Sequence, residues 1–335
     1  MSAETINWLN QNTLIGFTEK RGQAWHHRAS AQGTESNHYR GAVPLADVRR
    51  RLFSWKAIAV PMYVDVPNKP YMQVPSRVAI VRDDNYSVLG TPSTSYALHQ
   101  YEDALLSNIE NILDDDINIG SAGLLKNGAV AWVQIEMPEN IKGAGGVEFR
   151  PNLLATTSFN GSIATTYKRT VTIVVCDNTR AAALQEDGQD FRVRHTANSV
   201  LRLDDARQAL NIVYEMGDAF ARELEQLLAV KVTDKQWEAF LSDMFPVKED
   251  SAQQAHTKVD KDKEVFRTLW TQDDRVTPWR NTAFGVLQAV NTHRQYIRPL
   301  RGGTLRVERN MMDTLTGYTE ESDQKAMSRL FALVK

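Results

Sequence analysis

Arginines interleaved with flat aromatic side chains are the residues of this sequence best equipped for chemistry with a partner. Between Arg275 and Arg309 lie Arg275, Arg280, Arg294, Arg298, Arg301, Arg306 and Arg309, with no lysine and Glu308 as the one acid. Trp279, His293 and Tyr296 fall among them. Guanidinium groups make bidentate bonds to phosphate and stack on bases, and aromatic rings offer platforms for stacking, so this is the equipment of a single-strand binder. A second set gathers Lys20, Arg21, Arg28, Arg40 and Arg49-Arg50-Arg51 with Trp25, His26, His27 and Tyr39. The nucleic-acid-binding candidates are therefore Arg275, Trp279, Arg280, Arg294, Tyr296, Arg298 and Arg301, with Arg49, Arg50, Arg51 and Trp25. The competing reading leaves the arginines solvated or ion-paired, for instance with the acidic run Asp114–Asp116.

Other chemistry is thinner. Cys176 closes an apolar run and His195 follows within about twenty residues, so a thiol and a base could pair for nucleophilic catalysis. A cysteine at the end of Val-Ile-Val-Val is more simply a small buried hydrophobe, and Asp177-Asn178-Thr179 then supplies an N-cap for a short helix over Arg180–Leu184. Asp83 with Glu136 and Lys142 would make a carboxylate set for nuclease work, on unspecific spacing. His26 and His27 are adjacent, no His-Glu-x-x-His occurs, and one cysteine cannot build a thiolate site, so no metal is expected. Gly120–Lys126 lacks the spacing that wraps a nucleotide phosphate. Gly143-Ala144-Gly145-Gly146 leads into more strand where a dinucleotide loop needs a helix. No catalytic residue and no cofactor are expected.

The elements that must position these residues fall into two kinds. The chain has 335 residues, 39 basic against 41 acidic side chains and 42% hydrophobic residues, an ordinary globular composition with no global pull toward nucleic acid or membrane. A single cysteine excludes an intrachain disulfide and fits a reducing cytoplasm. The polar opening leads to no apolar signal core, and no run approaches roughly 18 apolar residues, so no membrane span is expected. From Gly41 to about Thr179, short β-branched runs read as strands: Ala57–Val64, Arg77–Val81, Ala129–Ile135 and Arg169–Val175. Arg82–Asn85 and Lys126-Asn127-Gly128 read as hairpin turns. One amphipathic helix, Tyr101–Leu113, interrupts the strands, with Leu105, Ile109 and Ile112 on its apolar face.

Near Asn198 the pattern changes. Ala206, Leu210, Val213, Phe220, Leu224 and Leu227 recur at three and four and predict one long helix to about Val230. Thr233 with Gln236 reads as a capping box for a second, with Trp237, Phe240, Leu241 and Met244 on one face. Pro246 to about Thr257 reads as a loop. Thr277-Pro278 is a helix start, with Phe284, Leu287 and Val290 buried, and more helices should follow Gly302-Gly303. The fold class is α+β, a β-rich mixed N-terminal half with hairpins and a helical C-terminal half. The domains are a β-rich α+β domain over 1–200 and a helical region over 201–335 packed on it.

Several of these segments together resemble the phage/plasmid-like family known as domain of unknown function 932. They are Arg21–His26, Ile80-Val81 through Leu89-Gly90, Ser121–Gly128 with Trp132-Val133, Val174–Thr179, Arg192–Thr196 and Thr282–Gly285, in order along nearly the whole chain. Val-Val-Cys-x-Asn-Thr is the most specific. Where the family carries a Ser-His-Asp-Gly-Ser-like stretch, this chain has Ser158-Phe159-Asn160-Gly161-Ser162, a change that a tight turn tolerates and catalysis would not. The resemblance implies a phage, prophage or plasmid context and no settled activity. The combined expectation is a non-catalytic nucleic-acid-binding protein with single-stranded DNA as partner, a Rad52-like annealing protein by analogy, and a homo-oligomer. The alternatives are a protein-binding module acting on a host or phage factor through Glu102–Asp116 or the helical surface, and a Cys/His enzyme.

Overall fold

A computed structural model describes residues 3–24, 27–113, 117–173, 178–181, 191–193, 206–300 and 306–334. The chain divides into two compact units, one of Met1–Glu139, Pro151–Arg169 and Gly188–Tyr214, the other of Asn140–Arg150, Thr170–Asp187 and Glu215–Lys335. The fold is α+β, with a β-rich N-terminal half and a helical C-terminal half. Among the described residues no helix is long and apolar enough to cross a membrane.

The first unit opens with α1 (Ala3–Asn12), β1 (Thr13–Ile15), α2 (Thr18–Arg21) and α3 (Leu45–Leu52). The β-branched runs then form β2 (Ala57–Val64), β3 (Met72–Arg82) and β4 (Val88–Gly90), a three-stranded antiparallel sheet in the order β2-β3-β4. The helix expected over Tyr101–Leu113 ends at Glu110 and has an unexpected start: Glu102–Leu106 makes a wide π-type turn before α4 (Ser107–Glu110). Leu105, Ile109 and Ile112 are buried as their spacing requires. Next come β5 (Asn118–Leu125) and β6 (Val130–Glu136), the hairpin that Asn127-Gly128 signals. Lys126, Asn127 and Gly128 all take positive φ (49°, 57° and 97°), conformations that asparagine tolerates and glycine adopts freely.

A larger sheet of eight strands continues through β7 (Ile141–Lys142), β8 (Glu148–Ser158), β9 (Thr165–Ile173), β10 (Asn178–Ala181) and β11 (Phe191–Val193). Its main path runs β1-β5-β6-β8-β9-β10, with β7 on β8 and β11 on β9. Strands β8 and β9 each begin in one unit and end in the other. The first core gathers Leu14, Val48, Leu52, Trp55, Ile80, Val133, Ala155 and the stacked pair Tyr101 and Phe159, whose rings lie 4.0 Å apart. The Tyr101 hydroxyl donates to Gly128 O at 2.7 Å and ties this stack to the hairpin turn. Asn160 and Gly161 form the turn between β8 and β9: Asn160 Oδ1 accepts from Ser162 N at 3.0 Å, and Gly161 has φ 73°.

The long helix α5 (Ala206–Ala229) carries Phe220, Leu224 and Leu227 into the second core. In α6 (Asp234–Met244) both bonds of the Thr233/Gln236 capping box form, and Trp237, Phe240 and Leu241 are buried. The expected loop Pro246–Thr257 is shorter than its composition suggested, because α7 (Gln253–Gln272) starts within it and buries Phe266, Leu269 and Trp270. Thr277-Pro278 starts only a single 3-10 turn, Thr277–Trp279; the helix proper is α8 (Ala283–Thr292), capped by Thr282, whose hydroxyl accepts from Gly285 N. Helices α9 (Arg306–Leu315) and α10 (Tyr318–Leu333) follow. Helix α8 is buried on every side and packs against α7 and α10. The short helix expected over Arg180–Leu184 is instead strand β10 through Ala181, because Asn178–Ala181 ladder onto Thr170–Ile173 of β9 and the sheet partner overrides the capping signal. Trp25, His26, Asp114–Asp116, Val174–Asp177, Arg194–Thr196, with Cys176 and His195 in these stretches, and Arg301–Gly303 lie outside the described residues.

Candidate nucleic-acid interface

The arginines between α7 and α9 owe their positions to α8. Its last turn loosens into a π-type turn, His293–Ile297, which aims Arg294 inward and Tyr296 outward. Arg294 is only 4% exposed. Its Nη1 bonds Asp323 Oδ1 at 2.9 Å and Thr319 O at 3.1 Å, and its Nη2 donates to Asn291 Oδ1 at 2.5 Å. Asp323 is buried as well, so this is an internal ion pair holding α8 to α10. A guanidinium committed in this way has no face left for a phosphate.

Trp279 is likewise inside. It is 5% exposed, its Nε1 donates to Gly145 O at 3.0 Å, and its ring meets Phe284 edge-on at 5.1 Å. Residue type suggested a stacking platform for bases; burial makes it a core residue. Arg275 forms a fork with Asp273, Nε to Oδ1 at 2.8 Å and Nη2 to Oδ2 at 2.6 Å, and lies 4.2 Å over the ring of Tyr296. The Arg275 guanidinium holds the Asp273 carboxyl below the ordinary aspartate range. Arg280 pairs with Asp234 at 3.2 Å.

Beyond the π-type turn the balance of charge changes. Arg298 pairs with Asp313 at 2.8 Å, donates to the Tyr318 hydroxyl at 3.1 Å and sits 5.2 Å from that ring. From α9, Arg306 donates to Gln295 O and Arg298 O, and Arg309 donates to Arg294 O and Arg298 O. The Arg294 and Gln295 carbonyls belong to the π-type turn that ends this helical run, where the helix dipole favours cations, and the Arg298 carbonyl follows it. Burial, then the charges of Arg298 and Arg306, push the Arg309 pKa below the ordinary arginine value, while Asp313 opposes them. Tyr296, Ile297, Leu300 and Tyr318 are exposed beside this cluster. Arg306, Arg309 and Tyr318 were not among the candidate site residues; the arginine run reaches the first two, and only the register of α10 brings in the third.

The second set sits in the other unit, on α3 and the segment before it. Arg49 pairs with Glu102 at 2.6 Å and Glu110 at 3.6 Å. Arg50 makes a fork with Glu35 and reaches Asp47 at 2.9 Å. Arg51 donates to Ser36 O at 2.6 Å and to the Tyr39 hydroxyl at 3.0 Å. Lys20 pairs with Glu139, Arg21 with Glu136, and Arg40 with Glu19. Each of these cations has an acid or a carbonyl in reach. Of the carboxylate set, buried Glu136 faces Arg21, Asp83 Oδ1 accepts from Lys56 N at 2.9 Å, and Lys142 lies in the other unit near Glu148. These partners differ for each residue and form no shared centre.

A family model described as Domain of unknown function (DUF932) matches residues 88–316, more than half of the chain. No curated protein and no solved structure matches it.

Proposed function

The chain belongs to the family described as Domain of unknown function (DUF932), and from that premise we propose that it is a nucleic-acid-binding protein of a phage, prophage or plasmid, working in the cytoplasm with single-stranded DNA as ligand. The observation that carries the reading is the crowding of Arg298, Arg306 and Arg309 beside exposed Tyr296 and Tyr318. Arg298 and Arg309 share Asp313, Arg306 donates to the Arg298 carbonyl beside them, and the two rings are flat faces on which bases of any sequence stack. Arg275, already laid over Tyr296, extends the surface. The site is therefore smaller than the sequence suggested, without Trp279 and Arg294. Strand annealing is the activity that such sequence-tolerant binding would serve.

The test is an anisotropy titration of the full chain with a fluorescent single strand and its duplex at low and physiological salt. Single-strand affinity should fall steeply with salt, and Arg298→Glu should lower the salt slope by about one while weakening all sequences alike. Tyr296→Ala should weaken the single strand by about 1–3 kcal/mol and the duplex less. Binding that ignores salt, or no binding at low salt, refutes the reading. A second reading, a protein-binding module, draws on the surface of α3, where Arg49 and Arg50 are ion-paired and Arg51 donates to Ser36 O. A host partner that survives nuclease treatment would favour it. The Cys/His enzyme rests on Cys176 and His195, outside the described residues, and reaction of the native thiol with iodoacetamide at neutral pH tests it.

A further inference from the structure

Tyr318, Ser322, Lys325 and Arg329 recur at three and four along α10 and so share one of its faces. Helices α6 and α8 pack against α10, and between the three lies a cavity of about 190 Å³ within the second unit. Its floor is apolar: Val290 of α8 and Ala326 of α10 are buried, and Met244 at the end of α6 is half-buried. Its rim is polar. Glu321 pairs with Lys325, and Arg329 pairs with the Asp243 carboxylate at 3.5 Å and donates to its backbone carbonyl at 2.9 Å. Two acids thus stand against two bases, and the rim carries no surplus charge to hold a phosphate or a carboxylate. It does offer hydrogen bonds of both kinds. Glu321 accepts, the Lys325 ammonium has three donors of which Glu321 takes one, and Ser322 supplies a hydroxyl.

We propose that this cavity takes one pyrimidine base of the bound single strand, an inference that rests on the nucleic-acid reading above. Size selects a single ring. A cavity of roughly 150 Å³ admits benzene and drug-sized sites begin at roughly 300 Å³, so 190 Å³ suits one six-membered ring with small substituents better than a fused purine. Chemistry selects a heterocycle over a plain ring: a pyrimidine turns flat apolar faces to Val290 and Ala326, and donors and acceptors along one edge to Glu321, Lys325 and Ser322. Position ties it to the strand. Tyr318 lines the cavity, and its hydroxyl accepts from Arg298 at 3.1 Å, so the cavity adjoins the arginine cluster. A base seated here leaves its phosphates beside Arg298, and a preference for one pyrimidine is added to binding that is sequence-tolerant elsewhere.

The experiment compares oligo(dT) with oligo(dA) of equal length in anisotropy titrations of the full chain at low salt, for the wild type, Ser322→Phe and Glu321→Ala/Lys325→Ala. Ser322→Phe fills the cavity with a ring of the protein's own. The double variant strips the rim at two exposed positions and leaves the net charge unchanged, so phosphate binding is untouched. Circular dichroism verifies that each variant folds, and if Ser322→Phe does not, the double variant decides. The wild type should bind oligo(dT) about 10-fold more tightly than oligo(dA), and both variants should lose that preference to within about 2-fold while holding oligo(dA) as before. Equal wild-type affinities overturn the proposal, as does a preference that survives in the folded variants. Salt-sensitive binding of both strands without the preference overturns the base pocket alone, whereas no binding of either strand overturns the nucleic-acid reading and the pocket with it.

Discussion

Asp323→Ala should be among the most damaging single substitutions in the second unit. The carboxylate is 1% exposed and its partner guanidinium on Arg294 is 5% exposed. Removing one member of a buried pair typically costs about 3–5 kcal/mol, because the remaining charge stays desolvated. Arg294 would keep two neutral acceptors, Thr319 O and Asn291 Oδ1, so the lower end of that range, about 3 kcal/mol, is expected. Replacing both charges, as in Arg294→Met/Asp323→Leu, removes the desolvated ion along with its partner and should restore stability to within about 1 kcal/mol of the wild type. Urea unfolding followed by tryptophan fluorescence is the assay, since Trp237, Trp270 and Trp279 all lie in the same core as the pair's helices. A loss of about 3 kcal/mol moves the midpoint by roughly 1–3 M. A loss below about 1 kcal/mol for Asp323→Ala, or a double variant no better than the single, refutes the reasoning. So does an Arg294→Ala protein that loses oligonucleotide binding at unchanged stability, for then the guanidinium was reaching a phosphate after all.

Gly285→Ala should destabilise by about 2–3 kcal/mol and lower the melting temperature, since an added Cβ would stand 2.2 Å from the Trp279 carbonyl oxygen, a backbone atom that cannot swing away. The helix-propensity gain of about 1 kcal/mol is too small to offset it. Thr233→Ala removes one half of the capping box and should cost about 1 kcal/mol in the same urea experiment. Stability should also fall on acidification through the histidine range: burial lowers the pKa of His99 and of His293. Below about pH 6.5 the unfolded chain therefore binds protons that the folded chain does not. Each histidine then contributes at most ~1.4 kcal/mol per pH unit until its depressed folded pKa is reached, and His99→Gln should flatten the profile of the first unit. A flat stability profile between pH 7.5 and 5.5 would show that neither imidazole is desolvated.

Local chemistry was legible where one short segment decides the outcome. Thr233 with Gln236 caps its helix, Asn127-Gly128 turns its hairpin, and Leu105, Ile109 and Ile112 face inward, each settled by neighbours a few residues away. Helix α7 was hidden because its first half, through Lys258–Glu264, is a charged surface and its N-cap is Ala252, with no side-chain signal. Arg294 and Trp279, two of the candidate site residues, were misread for a different reason. Residue type says that arginine and tryptophan can contact nucleic acid, but exposure is set by partners far along the chain. Asp323 lies 29 residues beyond Arg294, Asp234 lies 46 before Arg280, and Gly145 lies 134 before Trp279. A window from Arg275 to Arg309 holds a single acid, so its charge looked unopposed when much of its neutralisation arrives from other helices.

The interleaving of the two units sets the order in which the chain can complete itself on the ribosome. Neither unit is a contiguous stretch: the first needs Gly188–Tyr214 and the second needs everything after Glu215. At about 5–20 residues per second, the β2-β3-β4 sheet that ends at Gly90 is synthesised roughly 6–25 s before Tyr214. During that interval the first unit lacks its last residues, and the apolar side chains of its unfinished core stand open to non-native contacts. Fragments cut for expression anywhere between Glu139 and Tyr214 will inherit the same half-built state permanently.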